Sequence, residues 1–301
     1  MGILCLIMRS EVLDQATYDA GGWHPPRGLY LQPHEIDYRP IDTDWNFKNV
    51  RSSFWRLYIN DRGGAWLSLA DGQPYVLTAD HVHLVPAWVR FSCHNQRRLK
   101  SLYVHFDVIG LPGIILRRMF EAPLQVGVTQ WFEPMLGALR RRPWRTGGDP
   151  LAGLCQVQAL IYLAVARAWL RLTPAQARAC RDFLHQAHGL APVLQHIEAH
   201  LDQSLHNAVL ARLCYLSRDH FVRRFHQQMG QTPASYVRER RISRAAELLL
   251  LSPYNIKQIA SATGFGDRFH FTRVFAKLMG AAPAAYRRTE RILSGKRARP
   301  G

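Results

Sequence analysis

The chain has 301 residues, 48% apolar and 11% aromatic, a composition that excludes a disordered protein and allows two domains with separate cores. The formal net charge of +17 favours polyanionic partners such as nucleic acid or an acidic membrane surface, although a solvated basic surface has the same charge. Residues 189–301 carry 18 of the 39 Lys and Arg but only 7 of the 22 Asp and Glu, so the basic excess is concentrated there.

No apolar run reaches the roughly 18 to 20 residues of a membrane-spanning helix, which predicts a soluble, cytoplasmic protein. The opening MGILCLIM lacks a basic start and a small-residue cleavage site. We interpret it as an N-terminal strand, or as leader residues before a start at Met8. The odd number of cysteines, with no CxxC pair, predicts reduced thiols at Cys5, Cys93, Cys155, Cys180 and Cys214.

Short apolar runs separated by turn signals fill the N-terminal part. From 23 to 107, runs rich in Trp, Tyr, Val, Leu and Phe alternate with turn sequences such as DRGG, the spacing of a β-sandwich or barrel. Helical periodicity follows at 114–122 and 130–142, and RRPWRTGGDP at 141–150 interrupts it. We therefore assign residues 1–150 to a first domain.

A helical hairpin is predicted next. The segment 151–172 is apolar nearly all round, so its helix must be buried on more than one side, within its domain or against a second subunit. The Thr-Pro pair at 173–174 supplies an N-cap and an N1 proline for a second helix. We assign residues 151–188 to this hairpin, with a dimerisation role, and 189–192 to a linker.

The chain then contains a repeat. FVRRFHQQMGQTPASY at 221–236 and FTRVFAKLMGAAPAAY at 271–286 agree at eight of sixteen positions. In each copy two Phe and one Met, spaced four apart, lie along one stripe of a helix and predict a buried face. Matching residues bracket the two helices: the N-cap candidates Ser217 and Asp267, the C′ candidates Gly230 and Gly280, and Pro233 and Pro283 beyond.

Each repeat follows a shorter amphipathic segment, at 207–214 and at 255–263. A helix, a tight turn and a second helix form a helix-turn-helix, and the turn differs by one residue between the copies. The segment 233–252 predicts one long helix that holds the two units apart, so that their second helices can enter successive major-groove segments about 34 Å apart. Its predicted inner side consists of Tyr236, Val237, Ile242, Ala245, Leu248 and Leu249.

The faces opposite the buried stripes carry candidate DNA contacts. Arg223 and Arg273 occupy matching outer positions, where an arginine can donate two hydrogen bonds to a guanine edge or simply be solvated. Phe269 lies on this face too, and either contacts a thymine methyl or fills a core pocket. Asp219 has three interpretations: a cytosine contact, an ion pair with Arg223, or help in capping. His226 is either a phosphate contact or exposed.

These two units resemble the AraC/XylS family of bacterial transcription regulators over about 100 residues, from Val193 to Arg288. The matching positions of the second unit are Ile259, Ala260, Gly264, Phe265, Phe271, Arg273, Phe275, Gly280, Pro283, Tyr286 and Arg287. The resemblance implies base reading by Asp219, Val222, Arg223, Arg268, Phe269, Thr272 and Arg273. The sequence departs from the family at His226 and Ala276, where a basic residue is common, which bears on phosphate contacts and not on the fold.

The N-terminal part resembles the cupin-type sensor barrel of the same family, and this implies a pocket for a sugar or related small molecule. The candidate ligand residues are Arg56, Tyr58, His94, Tyr103 and His105. The HVH at 81–83 places two histidines on one strand face, as in cupin metal sites, but no carboxylate follows within a few residues. We therefore predict no metal and no cofactor.

The sequence thus predicts an α+β chain: a cupin-like β-barrel with a helical hairpin, and an all-α domain, 189–301, with two helix-turn-helix motifs. The predicted function is a non-enzymatic, sequence-specific transcription regulator, an activator or a repressor, that responds to a small molecule. Expected partners are promoter DNA, the effector, a second copy of the chain and RNA polymerase. Two alternatives stay open: a metal-dependent cupin enzyme with a DNA-binding tail, and a ligand-independent dimeric regulator. A DNA-repair methyl acceptor ranks last, because such proteins need a metal-held cysteine near the N-terminus and Cys5 stands alone.

Overall fold

Two facing β-sheets and a set of helices make up the computed structural model. It describes residues 18–19, 22–23, 30–79, 81–109, 111, 113–127, 132–141 and 149–293. The predicted N-terminal strand and Cys5 therefore lie outside the described residues. We call residues 30–141 the β domain and 191–293 the helical domain.

The strands begin and end close to the apolar runs of the sequence. They are β1 (Tyr18–Asp19), β2 (Gly22–Trp23), β3 (Tyr30–Ile41), β4 (Phe47–Arg51), β5 (Trp55–Asn60), β6 (Ala65–Leu69), β7 (Pro74–Leu77), β8 (His81–Val85), β9 (Arg90–Asn95), β10 (Leu99–Ile109) and β11 (Leu124–Gly127). An antiparallel sheet of five strands has the order β11-β8-β5-β10-β3, and a second of four has the order β4-β9-β6-β7. Because no strand is shared between them in the described part of the chain, the predicted barrel is an open sandwich.

Strand alternation gives the larger sheet two buried faces. Along β5, Leu57 joins the apolar cluster that the helices cover, whereas Tyr58 joins the cluster between the two sheets. β10 alternates in the same way, with Val104 on the helix side and Tyr103 in the interior. Long strands buried on both faces place polar side chains inside the sandwich, where each needs a polar partner.

The helices that follow the sheets include the predicted hairpin. They are α1 (Gly113–Met119), α2 (Phe132–Arg140), α3 (Pro150–Trp169) and α4 (Pro174–Ala187). Asp149 caps α3 by accepting a hydrogen bond from the Leu151 amide at 2.9 Å, and the buried face of α3 packs against β3 and α2. The segment assigned to a linker is a 3-10 turn (His188–Leu190) that runs directly into α5 (Ala191–Ala199), with Leu190 fully buried.

Helix α3 also corrects the expectation that no segment is long enough to span a membrane. Among the described residues it has the length and composition of a membrane-spanning helix. Its buried side includes Leu160, Ile161 and Ala164, which pack into the main core of the chain. The core helix of a soluble fold can have the same length and apolar composition as a membrane-spanning helix.

The helical domain confirms the predicted order of elements. Its further helices are α6 (Asn207–Arg212), α7 (Arg218–Met229), α8 (Pro233–Leu251), α9 (Ile256–Ala262), α10 (Arg268–Met279) and α11 (Pro283–Leu293). We call α8 the spacer helix, and its predicted inner residues are buried except for the half-buried Leu248. One continuous apolar cluster extends from the outer face of the larger sheet through α3 to the helical domain, so apolar contacts cross the boundary between the two domains.

Candidate nucleic-acid interface

The first candidate recognition helix, α7, is capped at both ends as predicted. The hydroxyl of Ser217 accepts a hydrogen bond from the His220 amide, and Gly230 ends the helix in the left-handed conformation, at φ 64°. Phe221, Phe225 and Met229 are fully buried, which confirms the core stripe. The Phe225 ring contacts that of Tyr236 on the spacer helix, with centroids 5.7 Å apart, and this fixes α7 against α8.

The second candidate recognition helix, α10, repeats this arrangement with a stronger cap. The Asp267 carboxylate accepts hydrogen bonds from the amides of Phe269 and His270, at 3.1 and 2.7 Å. These bonds stabilise the charged form and hold the pKa of Asp267 below its ordinary value. Phe275 contacts Tyr286 of α11 at 5.3 Å, the counterpart of the contact between α7 and the spacer helix.

The matching arginines are exposed. Arg223 and Arg273 lie opposite the buried stripes of α7 and α10, and neither forms a hydrogen bond or ion pair within the described residues. Both guanidinium groups therefore remain available to a ligand, and each can donate a bidentate pair to a planar acceptor edge.

The exposure of Phe269 decides whether it fills a core pocket or lies on the outer face of α10. The Phe269 ring is 66% exposed, so the core-pocket interpretation is wrong. The Arg268 guanidinium lies over this ring at 4.9 Å, which keeps a cation and an aromatic face together on the outer side of α10. Thr272 is half-buried, and its hydroxyl donates to the carbonyl of Arg268 at 2.9 Å.

On α7 the remaining outer positions differ in character. The Asp219 side chain is exposed and lies 4.0 Å from Arg218, not beside Arg223, and the cap is formed by Ser217 instead. Val222 is half-buried against the core, so only part of its surface is available. His226 is exposed, as one of its two interpretations required.

The turns of the two helix-turn-helix units have the same backbone conformation at positions occupied by different residues. Tyr215 in the first unit and Gly264 in the second both have positive φ, at 55° and 73°. In each turn the next amide bonds back to an alanine carbonyl of the preceding helix: Leu216 to Ala211 at 3.0 Å and Phe265 to Ala260 at 2.9 Å. The one-residue difference between the repeats is an additional residue after this bond, Gly266, before the cap.

Replacing Tyr215 with glycine should raise the free energy of unfolding of the full chain by about 1 kcal/mol. A bulky residue is strained at positive φ, and the side chain is 98% exposed, so glycine relieves strain without loss of packing. Denaturant unfolding measures the change, and Tyr215→Ala, which keeps a Cβ, serves as the control near wild type. A less stable glycine variant would contradict the strain argument.

Arg241 of the spacer helix was missed by the sequence reasoning. Its guanidinium donates to the carbonyls of Leu201 at 2.9 Å, Gly264 at 3.0 Å and Gln203. The side chain thereby ties the loop before α6 to the turn of the second unit. Nothing in the local sequence pattern marks this arginine, because its three acceptors come from two distant segments.

Inside the sandwich, four of the five candidate ligand residues come together. Arg56 is 1% exposed and donates to His105 Nε2 at 3.1 Å and to the Tyr58 hydroxyl at 3.4 Å. The Tyr103 hydroxyl donates to Glu35 at 3.1 Å, and burial together with this carboxylate raises the pKa of Tyr103. We call these four candidates together with Glu35 the interior cluster: Glu35, Arg56, Tyr58, Tyr103 and His105. The cavity beside it has room for about one water molecule.

His94 is the fifth candidate, and its assignment is wrong. Alternation along β9 buries Phe91 and Cys93 between the sheets, so His94 points outward and stacks on Trp66 with ring centroids 5.0 Å apart. Among the histidines of the HVH sequence, His83 is buried with both ring nitrogens within hydrogen-bond distance of protein groups, and burial lowers its pKa.

A family model and two curated relatives match the helical domain in sequence. The model of a helix-turn-helix domain family matches residues 210–289. YbfP of Bacillus subtilis strain 168, an uncharacterized HTH-type transcriptional regulator, is 38% identical over 64 residues, which are 21% of this chain and 22% of YbfP. The chain spans less than a quarter of the length of each of the two curated relatives that it matches.

Two solved structures cover the same region. The DNA-binding domain of AdpA, a global transcriptional factor in complex with a target DNA, is 32% identical, with 35% of this chain and 94% of that domain covered at a TM-score of 0.34. A regulator from Chromobacterium violaceum with an AraC-type DNA-binding domain is 29% identical, with 38% and 95% covered at a TM-score of 0.32. Residues 210–289 therefore belong to a helix-turn-helix domain family, and they are similar to AraC-type DNA-binding domains.

Proposed function

We propose that the chain is a sequence-specific transcription regulator that binds promoter DNA with both helix-turn-helix units. The observation that carries this proposal is the pair of exposed arginines, Arg223 and Arg273, at matching positions of two capped helices. An α-helix fits the major groove of B-DNA, where an arginine recognises guanine. Both helices pack against the spacer helix, so binding of the first unit raises the effective concentration of the second.

A footprint of the full chain on the DNA upstream of its own gene and neighbouring operons, at near-physiological salt, tests this function. We expect each subunit to protect two major-groove segments one helical turn apart, and a dimer to protect two such pairs. Diffuse protection that disappears as the salt concentration rises would show that only the positive charge binds, and would contradict sequence-specific recognition.

Dimerisation through α3 is part of the proposal. Leu151, Leu154 and Tyr162 on this helix, and Leu170 at its C-cap, are exposed although they are large and apolar. Monomeric proteins rarely expose a long apolar stripe, and a second copy can cover it in a two-fold symmetric contact.

The interior cluster is the proposed effector site, with a sugar or another small polar molecule as the ligand. Its arginine, tyrosines, histidine and glutamate supply the donors and acceptors that such a ligand needs. Because the cavity holds about one water molecule, ligand entry requires these side chains to move. The small size of the cavity also favours a second candidate function, that of a ligand-independent dimeric regulator. A regulator of that kind would give the same footprint with each sugar of a panel as without any. No residue is given a catalytic role.

A further inference from the structure

A β-bulge places two consecutive side chains of β3 on one face of the larger sheet. The ladder between β3 and β10 shifts register between His105 and Phe106, and His34 is the extra residue. Glu35 then lies 3.5 Å from His105, inside the sandwich, while His34 lies 3.4 Å from Asp107, further along the same face of β10. The bulge therefore sets a second group of polar side chains next to the interior cluster.

This second group joins the β domain to the spacer helix. His34 Nδ1 lies 3.5 Å from Glu247 of the spacer helix, and its other ring nitrogen faces Asp107. Arg240, also on the spacer helix, donates to Glu198 at 2.6 Å and to Asp107 at 3.4 Å. The five side chains are only 8% to 22% exposed, and we call them the interdomain cluster.

The charges around His34 balance only when its imidazole is protonated. Besides the interdomain cluster, the neighbouring charged or titratable groups are Arg244, which donates to Glu247, and Tyr30 at the start of β3. Three cations, His34, Arg240 and Arg244, then meet the three carboxylates of Asp107, Glu198 and Glu247. Loss of the proton leaves one half-buried carboxylate uncompensated, which is costly at low exposure.

Burial lowers the pKa of His34, but the hydrogen bonds and charges of Asp107 and Glu247 together outweigh burial and raise it from 6.5 to about 9. The part of this rise that comes from Glu247 exists only when the domains are docked, so the docked arrangement binds the proton more tightly than the separated domains do. The resulting stabilisation of docking is present at neutral and acidic pH and is lost as the pH rises through about 9.

Two further contacts support this arrangement. One is an ion pair between the β domain and the spacer helix, and the other is an aromatic ring between the interior cluster and the interdomain cluster. Arg117 of α1 pairs with Glu239 of the spacer helix at 3.3 Å, so the β domain is held at two places along α8. The Phe54 ring lies 4.8 Å from the His105 ring and 6.3 Å from the His34 ring. The Phe54 side chain therefore lies against both clusters.

We propose that the interdomain cluster is a latch, in which protonated His34 holds the β domain against the spacer helix and loss of that proton loosens the contact. The latch fixes how the β domain sits on the helix that carries both helix-turn-helix units. It goes beyond the proposed function, because it concerns two domains of one chain and is tested without DNA.

The imidazole titration of His34 in the full chain, followed by NMR, tests the contact across the domains. We expect a midpoint near 9, and a fall of about one pH unit or more in Glu247→Gln, because that carboxylate belongs to the other domain. The matched control is Glu133→Gln, an exposed carboxylate of α2. A wild-type midpoint near 6.5, or a midpoint unmoved by Glu247→Gln, overturns the latch.

Small-angle scattering of the full chain between pH 7 and pH 9.5 tests the release. We expect the docking equilibrium constant to fall at least about tenfold, seen as a growing radius of gyration. His34→Gln should be expanded already at pH 7 and insensitive to pH, whereas His206→Gln, at an exposed position of the helical domain, should follow wild type. Circular dichroism verifies that the variants fold. An equal, constant radius in wild type and His34→Gln overturns the proposal.

Discussion

Replacing Arg223 or Arg273 with alanine should weaken binding to the cognate DNA site by about 1 to 3 kcal/mol for each substitution. Each side chain is exposed on the outer face of its helix, so the loss comes from a base contact and not from the fold. Specificity should relax at the base pair that the arginine reads, because the discriminating bidentate bond is gone. Fluorescence anisotropy at one fixed salt concentration, on cognate and random duplexes, measures both effects.

Lys277→Ala is the matched control for these substitutions. Lys277 is exposed in the last turn of α10 and carries the same charge, but it lies away from the N-terminal part of the helix, which is the part proposed to enter the groove. We expect it to weaken cognate and random binding alike. If the arginine variants also lose affinity equally on both duplexes, then Arg223 and Arg273 contact phosphates only, and base reading lies elsewhere.

Gly264→Ala should lower the free energy of unfolding by about 3 kcal/mol. A Cβ at this position would lie 2.5 Å from the carbonyl oxygen of Leu201 and 2.6 Å from Nη2 of Arg241. The backbone has φ 73°, which strains any L side chain, and the steric overlap would also displace Arg241 from its three carbonyl acceptors. Denaturant unfolding of the full chain measures the loss.

Gly72→Ala separates the cost of backbone strain from the cost of steric overlap. Gly72 has φ 78° and no atom within 4 Å of an added Cβ, so alanine there adds backbone strain alone, about 1 kcal/mol. The difference between the two variants is the cost of the overlap with Leu201 and Arg241. Equal losses at Gly264 and Gly72 would mean that the Arg241 side chain moves without cost, and would contradict its role as a tie between the two segments.

The sequence predicted the helical domain well because its signals are local. Phe and Met four residues apart, a cap residue before them and a glycine after them determine a helix within about a dozen residues. The spacer helix was predicted at 233–252 and spans Pro233–Leu251, and the first unit begins at Asn207 as predicted. The repeated outer arginines followed from the same periodicity.

The β domain was harder to predict because its contacts are distant in sequence. Four of the predicted ligand residues do gather, since they alternate correctly along β5 and β10, but His94 faces outward because Phe91 and Cys93 occupy the interior positions of β9. Glu35 was not predicted, because only the bulge in β3 turns it toward His105.

By itself, the sequence determined the two helix-turn-helix units, their buried stripes and their exposed arginines, because helix periodicity and capping depend on neighbouring residues. Tertiary structure decided the partners of the charged side chains. Arg241 bonds to carbonyls of two other segments, and His34 meets Glu247 more than 200 residues along the chain. A charged residue in a sequence shows only that it needs a partner once it is buried, and the packing of the two domains determines which partner it finds.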